Sequence, residues 1–183
     1  MMIVGENLLG LIRQYDLCPE RLFDQFSITL ELDDCVLRPV RKSDEPIRYD
    51  MQDVEHLFEE HRLKHGELIL APGEAVLGCS SDIIKMPVGY MGLLQAKGSL
   101  ARLFVSVHCS DSQVEPGFEG KVTFELVNHS PFDIALGFRA KVAQLFIFKC
   151  STANTEDAYK GRYQNADKPT VARLIRYQQH GAS

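Results

Sequence analysis

The residues best suited to chemistry lie in one segment, between positions 97 and 128. At its start, Lys97, Gly98, Ser99 and Arg102 combine two cations with a small polar loop, which suits the binding of phosphate. Near its end, Glu125 interrupts an otherwise apolar run that has the character of a strand. Apolar surroundings penalise a charged carboxylate and raise its pKa. Glu125 is therefore expected either to be paired with a cation or to carry a proton in a reaction.

The composition is that of an ordinary globular chain of 183 residues, long enough for one domain with its own core. Its formal net charge of -5 argues against binding a nucleic acid polymer through bulk charge, although it leaves room for a local basic site. No apolar run reaches the roughly 18 residues that a membrane span needs. The first residues lack the pattern of a secretory signal, so we expect a cytoplasmic protein.

Five cysteines are scattered along the chain and are never spaced as C-x-x-C. This arrangement predicts neither a disulfide framework nor a zinc site. The zinc-dependent nucleobase deaminases carry His-x-Glu together with Pro-Cys-x-x-Cys, and neither pattern occurs here. Any deamination would therefore proceed without zinc.

The elements that must position these residues are mostly short strands. Residues 3–17 place their leucines at near-helical spacing and predict one amphipathic helix. Residues 27–32 alternate polar and apolar, which predicts a strand. Gly and Pro then punctuate further β-type runs at 68–70, 75–78, 83–84, 90–94, 104–107, 121–127, 134–136 and 142–148. The pattern is typical of a mainly β sandwich or barrel of the jelly-roll type.

We divide this single predicted domain into four parts. Residues 1–37 hold the helix and the first strand, and residues 38–66 form a charged, solvated insertion. Residues 67–150 form the β core, and residues 151–183 form a polar C-terminal arm in which Val171–Ile175 could add a last strand.

Three stretches follow one another in a specific order and spacing: Lys97–Leu103, Val114–Gly120 and Phe124–Asn128. They resemble the Arg-Ser-Ser-Leu-Ala-Arg-Leu loop, the Ile-Asp-Pro-Gly-Trp-x-Gly turn and the Leu-Glu-x-x-Asn strand of the dCTP deaminases, members of the trimeric dUTPase-like superfamily. Gln144-Leu145 and the tail Tyr159–Gln164 resemble further motifs of that family.

The resemblance implies a dUTPase-like distorted jelly-roll and a homotrimer with sites between subunits. Glu125 would activate a water for attack on C4 of the cytosine and pass the proton to the departing amine, so that dCTP gives dUTP and ammonia. Arg102 and Ser99 would complete the catalytic set. Mg²⁺ would be bound through the triphosphate, with no ligand from a protein side chain. The nucleotide and its phosphates would contact Lys97, Gly98, Ser99, Arg102, Gln113, Glu115, Phe118, Tyr159, Lys160, Arg162, Tyr163 and Gln164.

Several positions depart from the family's pattern. The lysine at the start of the phosphate loop is a point charge that cannot make the bidentate contacts of arginine. The departures are Thr29 for Asp, Lys97 for Arg, Gly98 for Ser, Phe104 for Gly, Gln113 for Arg, Glu115 for Asp and Ala166 for Gln.

Other functions stay open. A dUTPase, or a bifunctional enzyme that also releases pyrophosphate, would use a carboxylate in the turn at Glu115. Glu125 and the lack of a Gly-rich C-terminal motif favour deamination over a dUTPase alone. A catalytically silent nucleotide-binding relative would account for the changes in the loop. Glu125 could also be a structural carboxylate satisfied by a neighbouring Arg.

Overall fold

Two antiparallel sheets form the framework of the protein, for which the computed structural model describes residues 1–48, 54–63, 66–151, 156 and 158–173. The helices are α1 (Gly5–Tyr15), the single turn α2 (Gly98–Ala101), and two 3₁₀ turns, Glu20–Leu22 and Glu55–Leu57. The strands are β1 (Met2–Ile3), β2 (Phe23–Asp24), β3 (Ser27–Glu31), β4 (Cys35–Pro39), β5 (Phe58–Arg62), β6 (Glu67–Leu70), β7 (Ala75–Cys79), β8 (Ile84–Lys85), β9 (Tyr90–Ala96), β10 (Val105–Ser106), β11 (Gln113–Val114), β12 (Glu119–Gly120), β13 (Thr123–Asn128), β14 (Ile134–Gly137) and β15 (Lys141–Lys149).

The larger sheet has the order β11-β9-β15-β3-β2, with β1 also pairing with β15. The second sheet has the order β10-β13-β7-β4-β5, and β12-β8 and β14-β6 form two further, two-stranded sheets. Buried residues of both main sheets belong to one continuous core, for example Ile28 and Leu145 from the first sheet and Phe124 from the second. The predicted mainly β architecture is confirmed.

Helix α1 packs on this core through one face. Leu8, Leu11 and Ile12 are buried, as their near-helical spacing predicts. The helix ends at Asp16, which adopts the left-handed conformation that commonly terminates helices. The predicted N-terminal helix is therefore confirmed.

Strand β13 has one face in the core and one face that is only partly buried. Phe124 and Leu126 are fully buried in the core, whereas Glu125 lies on the opposite, half-buried face. This two-residue alternation follows from the pleat of a β-strand. Five residue pairs join β13 to β7, and two more join it to β10, so its register is fixed on both sides.

The last residue of β13 has a structural role. The buried Asn128 amide donates hydrogen bonds to the carbonyl oxygens of Leu70 and Phe132 at 2.8 and 2.7 Å, and its oxygen accepts one from the Ser130 N–H at 2.9 Å. These groups would otherwise be buried without partners, which is costly. Asn128 therefore fixes the chain where it leaves the strand.

The insertion at 38–66 differs from the solvated loop that its charge predicts. Phe58–Arg62 forms β5, an edge strand that pairs with β4. Four of its five side chains are exposed, so the sequence shows charge and no alternation. Charged residues are typical of edge strands, because they discourage pairing with other chains.

The C-terminal arm lies against the turn that precedes β13 and makes hydrogen bonds without regular structure. The N–H groups of Tyr159 and Asn165 donate to the carbonyls of Pro116 and Glu119, both at 2.7 Å. Gly117 has φ +84°, and a Cβ there would lie 2.8 Å from the Cβ of Ala158, so the close approach of the arm depends on glycine. The last predicted strand is not formed at 171–173, and residues 174–175 lie outside the described part.

In the described ranges, none of the helices has the length and apolar character needed to span a bilayer.

Candidate active site

A cavity of about 400 Å³ lies beside β13, on the face that carries Glu125. The β11 strand, the turn that follows it, and the C-terminal arm form its other walls. The structure thus gathers six of the thirteen predicted site residues around one space: Gln113, Glu115, Phe118, Glu125, Tyr159 and Tyr163.

Glu125 is held by the backbone on one side of this cavity. Its Oε2 accepts a hydrogen bond from the N–H of Cys109 at 2.9 Å. Partial burial raises the pKa of Glu125, and the negative charge of Asp111 raises it further; the Cys109 N–H and the nearby His108 act in the opposite direction. Among the described residues no Lys or Arg forms an ion pair with Glu125. The alternative of a structural carboxylate satisfied by an Arg is therefore not supported.

Two more carboxylates line the same cavity, Asp111 and Glu115. Partial desolvation raises the pKa of Glu115, and the charge of Asp111 adds to this effect. The described part of the lining includes one cationic side chain, Lys121, and its Nζ lies 2.6 Å from the Asp33 carboxylate. The cavity therefore carries a negative potential, which favours protonated carboxylates and repels phosphate.

An aromatic pair forms the opposite wall. The ring centroids of Phe118 and Tyr159 are 6.0 Å apart, and the rings are tilted by 57°. The phenolic oxygen of Tyr159 also accepts a hydrogen bond from the Tyr163 N–H at 3.3 Å. The lining also includes apolar side chains from three strands and from the residue before β13: Leu77, Leu94, Val114 and Val122. Such a space suits a flat ring with few polar edges.

Three predicted phosphate-binding residues of the arm lie outside the cavity wall. The Gln164 amide donates to the Gly117 carbonyl at 3.0 Å and its oxygen accepts from the Glu119 N–H at 3.1 Å, so it docks the arm. The guanidinium of Arg162 donates to the Arg173 carbonyl. Lys160 is exposed to solvent.

The predicted phosphate loop is not part of the cavity wall that carries Glu125. Gly98, Ser99 and Arg102 are exposed and do not line the cavity, while Lys97 Nζ lies 3.0 Å from Asp24. A Cβ at position 98 would lie 3.2 Å from Nη1 of Arg102, so the glycine leaves room for that guanidinium. No acidic side chain in the described ranges pairs with Arg102, which leaves its charge available.

Sequence reasoning missed several groups in the cavity. Asp111 could have been suspected from its place in the polar stretch between the loop and the turn. The Cys109 N–H gave no signal, because a backbone donor is independent of residue type. Thr170, whose hydroxyl lies 3.0 Å from that of Thr123, reaches the cavity only because the arm folds back. No group of three or more His, Cys, Asp or Glu suited to a metal ion occurs in the part of the chain that is described.

Comparison with known proteins identifies relatives of this chain. Residues 9–150 match the family model described as dCTP deaminase-like. A protein of Parafrankia sp. named "dCTP deaminase, dUMP-forming" is 37% identical over 59% of this chain and 56% of its own length. A protein of the same name from Corynebacterium kroppenstedtii is 36% identical over 69% of this chain and 68% of its own length. The chain thus spans roughly half to two thirds of these relatives.

The structure is similar to a crystal structure of 2′-deoxycytidine 5′-triphosphate deaminase from Agrobacterium tumefaciens, with a TM-score of 0.60. The match covers 80% of this chain and 47% of that one, at 14% identity. At this identity the likeness shows the fold alone. It confirms the fold that the sequence resemblance implied.

The raised pKa of Glu125 predicts a pH dependence of stability. The unfolded chain releases this proton near the ordinary value of 4.5, and the folded protein releases it at higher pH. As pH rises between these two pKa values, the free energy of unfolding of the wild type therefore falls, because the carboxyl ionises in the unfolded state before it ionises in the folded state. We expect Glu125→Gln to gain free energy of unfolding relative to wild type as pH rises from about 4.5 to 7, as measured by urea denaturation.

Glu20→Gln is the matched control of opposite sign. Its hydrogen bond with Arg13 lowers the pKa of Glu20, so the ionised carboxylate stabilises the wild-type fold. The Glu20→Gln variant should therefore lose free energy of unfolding relative to wild type as pH rises toward 4.5. A Glu125→Gln difference that is flat with pH, or that follows the sign of Glu20→Gln, would contradict the assignment of Glu125 as a desolvated, unpaired carboxylate.

Proposed function

We propose, since this chain belongs to the dCTP deaminase-like family, that it removes the 4-amino group of dCTP by hydrolysis. The observation that carries the proposal is Glu125, a carboxylate of raised pKa that lines a cavity and pairs with no described cation. The relatives that share up to 37% identity are named for the same reaction. A partly buried carboxylate without a cation beside it is costly to ionise, and such groups are common at catalytic sites.

Glu125 would act first as a base and then as an acid. It takes a proton from a water molecule whose oxygen adds to C4 of the cytosine. It then passes that proton to the amino nitrogen, the C4–N bond breaks and ammonia leaves. The remaining proton of the C4 hydroxyl moves to N3, which gives the uracil ring. Both steps need a pKa near the working pH, which desolvation and the charge of Asp111 support. The Cys109 N–H keeps one carboxylate oxygen fixed throughout.

The aromatic wall would hold the nucleoside. The pair of Phe118 and Tyr159 offers an apolar surface to the base and the deoxyribose. Phe118 is 7% exposed and tightly enclosed, so its ring has little freedom to move aside. We propose that it leaves no room for a 2′-hydroxyl and thus selects deoxynucleotides.

The triphosphate would be bound by residues from a second copy of the chain. The cavity holds three carboxylates and repels phosphate, whereas the exposed loop of the same chain offers Ser99 and the unpaired Arg102. The carboxylate-lined cavity and the cationic loop are complementary in charge, and the loop does not line the cavity of its own chain. A homotrimer in which the loop of one copy covers the cavity of another accounts for both facts. Mg²⁺ would enter as part of the nucleotide substrate and neutralise further phosphate charge.

A second activity is favoured by Glu115. This carboxylate lines the same cavity and has a raised pKa, and the relatives are named as forming dUMP. We propose that Glu115 activates another water, whose oxygen attacks the α-phosphorus of the dUTP formed first. The bond to the β-phosphate breaks, and dUMP and pyrophosphate leave.

The deamination is tested by incubating the purified protein with dCTP and Mg²⁺ and measuring ammonia. Glu125→Gln should lower the rate by at least about a hundredfold, because general acid–base catalysis contributes about 10²–10⁴. Binding of dCTP, measured by calorimetry, should persist. The control Glu119→Gln removes an exposed carboxylate that does not line the cavity, and should keep the wild-type rate. Ammonia release by Glu125→Gln at the wild-type rate would rule out the mechanism.

The second activity is tested by measuring pyrophosphate in the same reactions. Glu115→Gln should release ammonia at close to the wild-type rate while its pyrophosphate falls by about a hundredfold or more, because only the second step uses that carboxylate. If wild type makes dUTP and no pyrophosphate, the dUMP-forming activity is absent. If both products fall together, Glu115 serves substrate binding rather than the second step.

The shared site is tested by mixing two inactive variants. Arg102→Ala removes the loop cation and Glu125→Gln removes the base, so each homotrimer should be inactive. After joint refolding of equal amounts, about a quarter of the sites in a cyclic trimer combine an intact loop with an intact base. We expect about that share of the wild-type ammonia rate to return.

A matched mixture serves as the control for this experiment. Ser99→Ala and Arg102→Ala lie on the same loop, so mixing them should restore nothing. If the Arg102→Ala and Glu125→Gln mixture also stays inactive although mixed oligomers form, the loop and the base act within one chain and the shared site is wrong.

A further inference from the structure

Phe104 has a backbone conformation that its residue type disfavours. Its φ is +59°, in the left-handed region, where a Cβ is crowded by the backbone. The apolar run at 104–107 predicts a strand there, but β10 begins only at Val105. Glycine at this position would carry no such cost. The chain therefore keeps an aromatic side chain where glycine would be less strained.

Hydrogen bonds on both sides hold this conformation. The Phe104 N–H donates to the carbonyl of Ala101 at 3.0 Å, and the Phe104 carbonyl accepts from the N–H of His129 at 2.9 Å. The preceding turn is anchored by Leu100, which is buried in the core. A strained residue that its surroundings fix in this way is found chiefly where function needs it.

The fixed ring points away from its own chain. Phe104 is 66% exposed and Leu103 is 49% exposed, and both follow Arg102 directly. Aromatic residues and arginine are both enriched in protein interfaces relative to the rest of the surface. Phe104 and Leu103 thus expose adjacent apolar side chains, which a partner surface would remove from water.

We propose that Phe104 anchors the loop of residues 97–104 on a second copy of this chain and so positions Arg102 and Ser99 over that copy's cavity. The choice of partner follows from charge: the loop carries an unpaired Arg102, and the cavity carries Asp111, Glu115 and Glu125. Phe104 is a positioning residue in this arrangement. The inference rests on the shared site of the proposed function and adds the residue that holds the two copies together.

The test compares three variants by sedimentation velocity over a range of protein concentrations. Phe104→Asn removes the ring and keeps the backbone, because Asn tolerates the left-handed region. Phe104→Tyr keeps the ring. Tyr15→Asn is the control, since Tyr15 is 43% exposed and lies against Tyr90, at the opposite end of β9 from the loop. Circular dichroism verifies that each variant is folded.

We expect Phe104→Asn to weaken self-association by about tenfold or more, whereas the other two variants associate as wild type does. Its ammonia release should be low at dilute protein and recover as concentration rises, which a role within one chain would not produce. Unchanged association of folded Phe104→Asn, or a wild type that stays monomeric, would overturn the inference. Weakened association in a protein that never releases ammonia would support the anchor and overturn the proposed function instead.

Discussion

The pleat of β13 is the constraint on which the site depends. Phe124 and Leu126 must face the core, so Glu125 must face the cavity. A slip of one residue in pairing with β7 would bury the carboxylate and expose Phe124, the largest fully buried side chain among the described residues. Hydrophobic packing therefore places the proposed acid–base group, and the Cys109 N–H only refines its position. The reactive group needs no separate support, because the core already fixes it.

The electrostatics of the cavity explain why base and cations are kept apart. A lysine or arginine beside Glu125 would favour its ionised form and lower its pKa. A carboxylate with a low pKa is a weak base, so it would be less able to take a proton from water. Lys121 is the cation of the described lining, and its charge is balanced by Asp33. In the proposed homotrimer Arg102 arrives at the phosphate end from another copy. The charge that binds substrate is thus separated from the group that performs the chemistry.

Periodicity predicts the parts of this fold whose burial is one-sided. The helical period of α1 and the alternation at 123–128 both appear as one-sided burial in the structure. The strand at 27–31 is found where its alternating sequence predicts it, but four of its five side chains are buried, so both of its faces are covered. Strand β5 is not predicted by periodicity, because it lies at a sheet edge and four of its five side chains are exposed. Phe104 is misassigned to a strand because aromatic residues favour strands on average, whereas tertiary hydrogen bonds decide its backbone. Asp111 and the arm reach the cavity through long-range contacts that no local pattern encodes.

The altered loop does not by itself imply a silent protein. Lys97 forms an ion pair with Asp24, so its charge is already balanced. The change from arginine to lysine at this position therefore removes little phosphate-binding charge from the loop. Gly98 leaves space for the guanidinium of Arg102, which keeps its charge unpaired in the described structure. A protein that only bound nucleotide would gain stability by replacing Glu125 with an apolar residue, since an unpaired, partly buried carboxylate opposes folding above its ordinary pKa. Its retention beside an intact cavity therefore favours an enzyme over a silent relative.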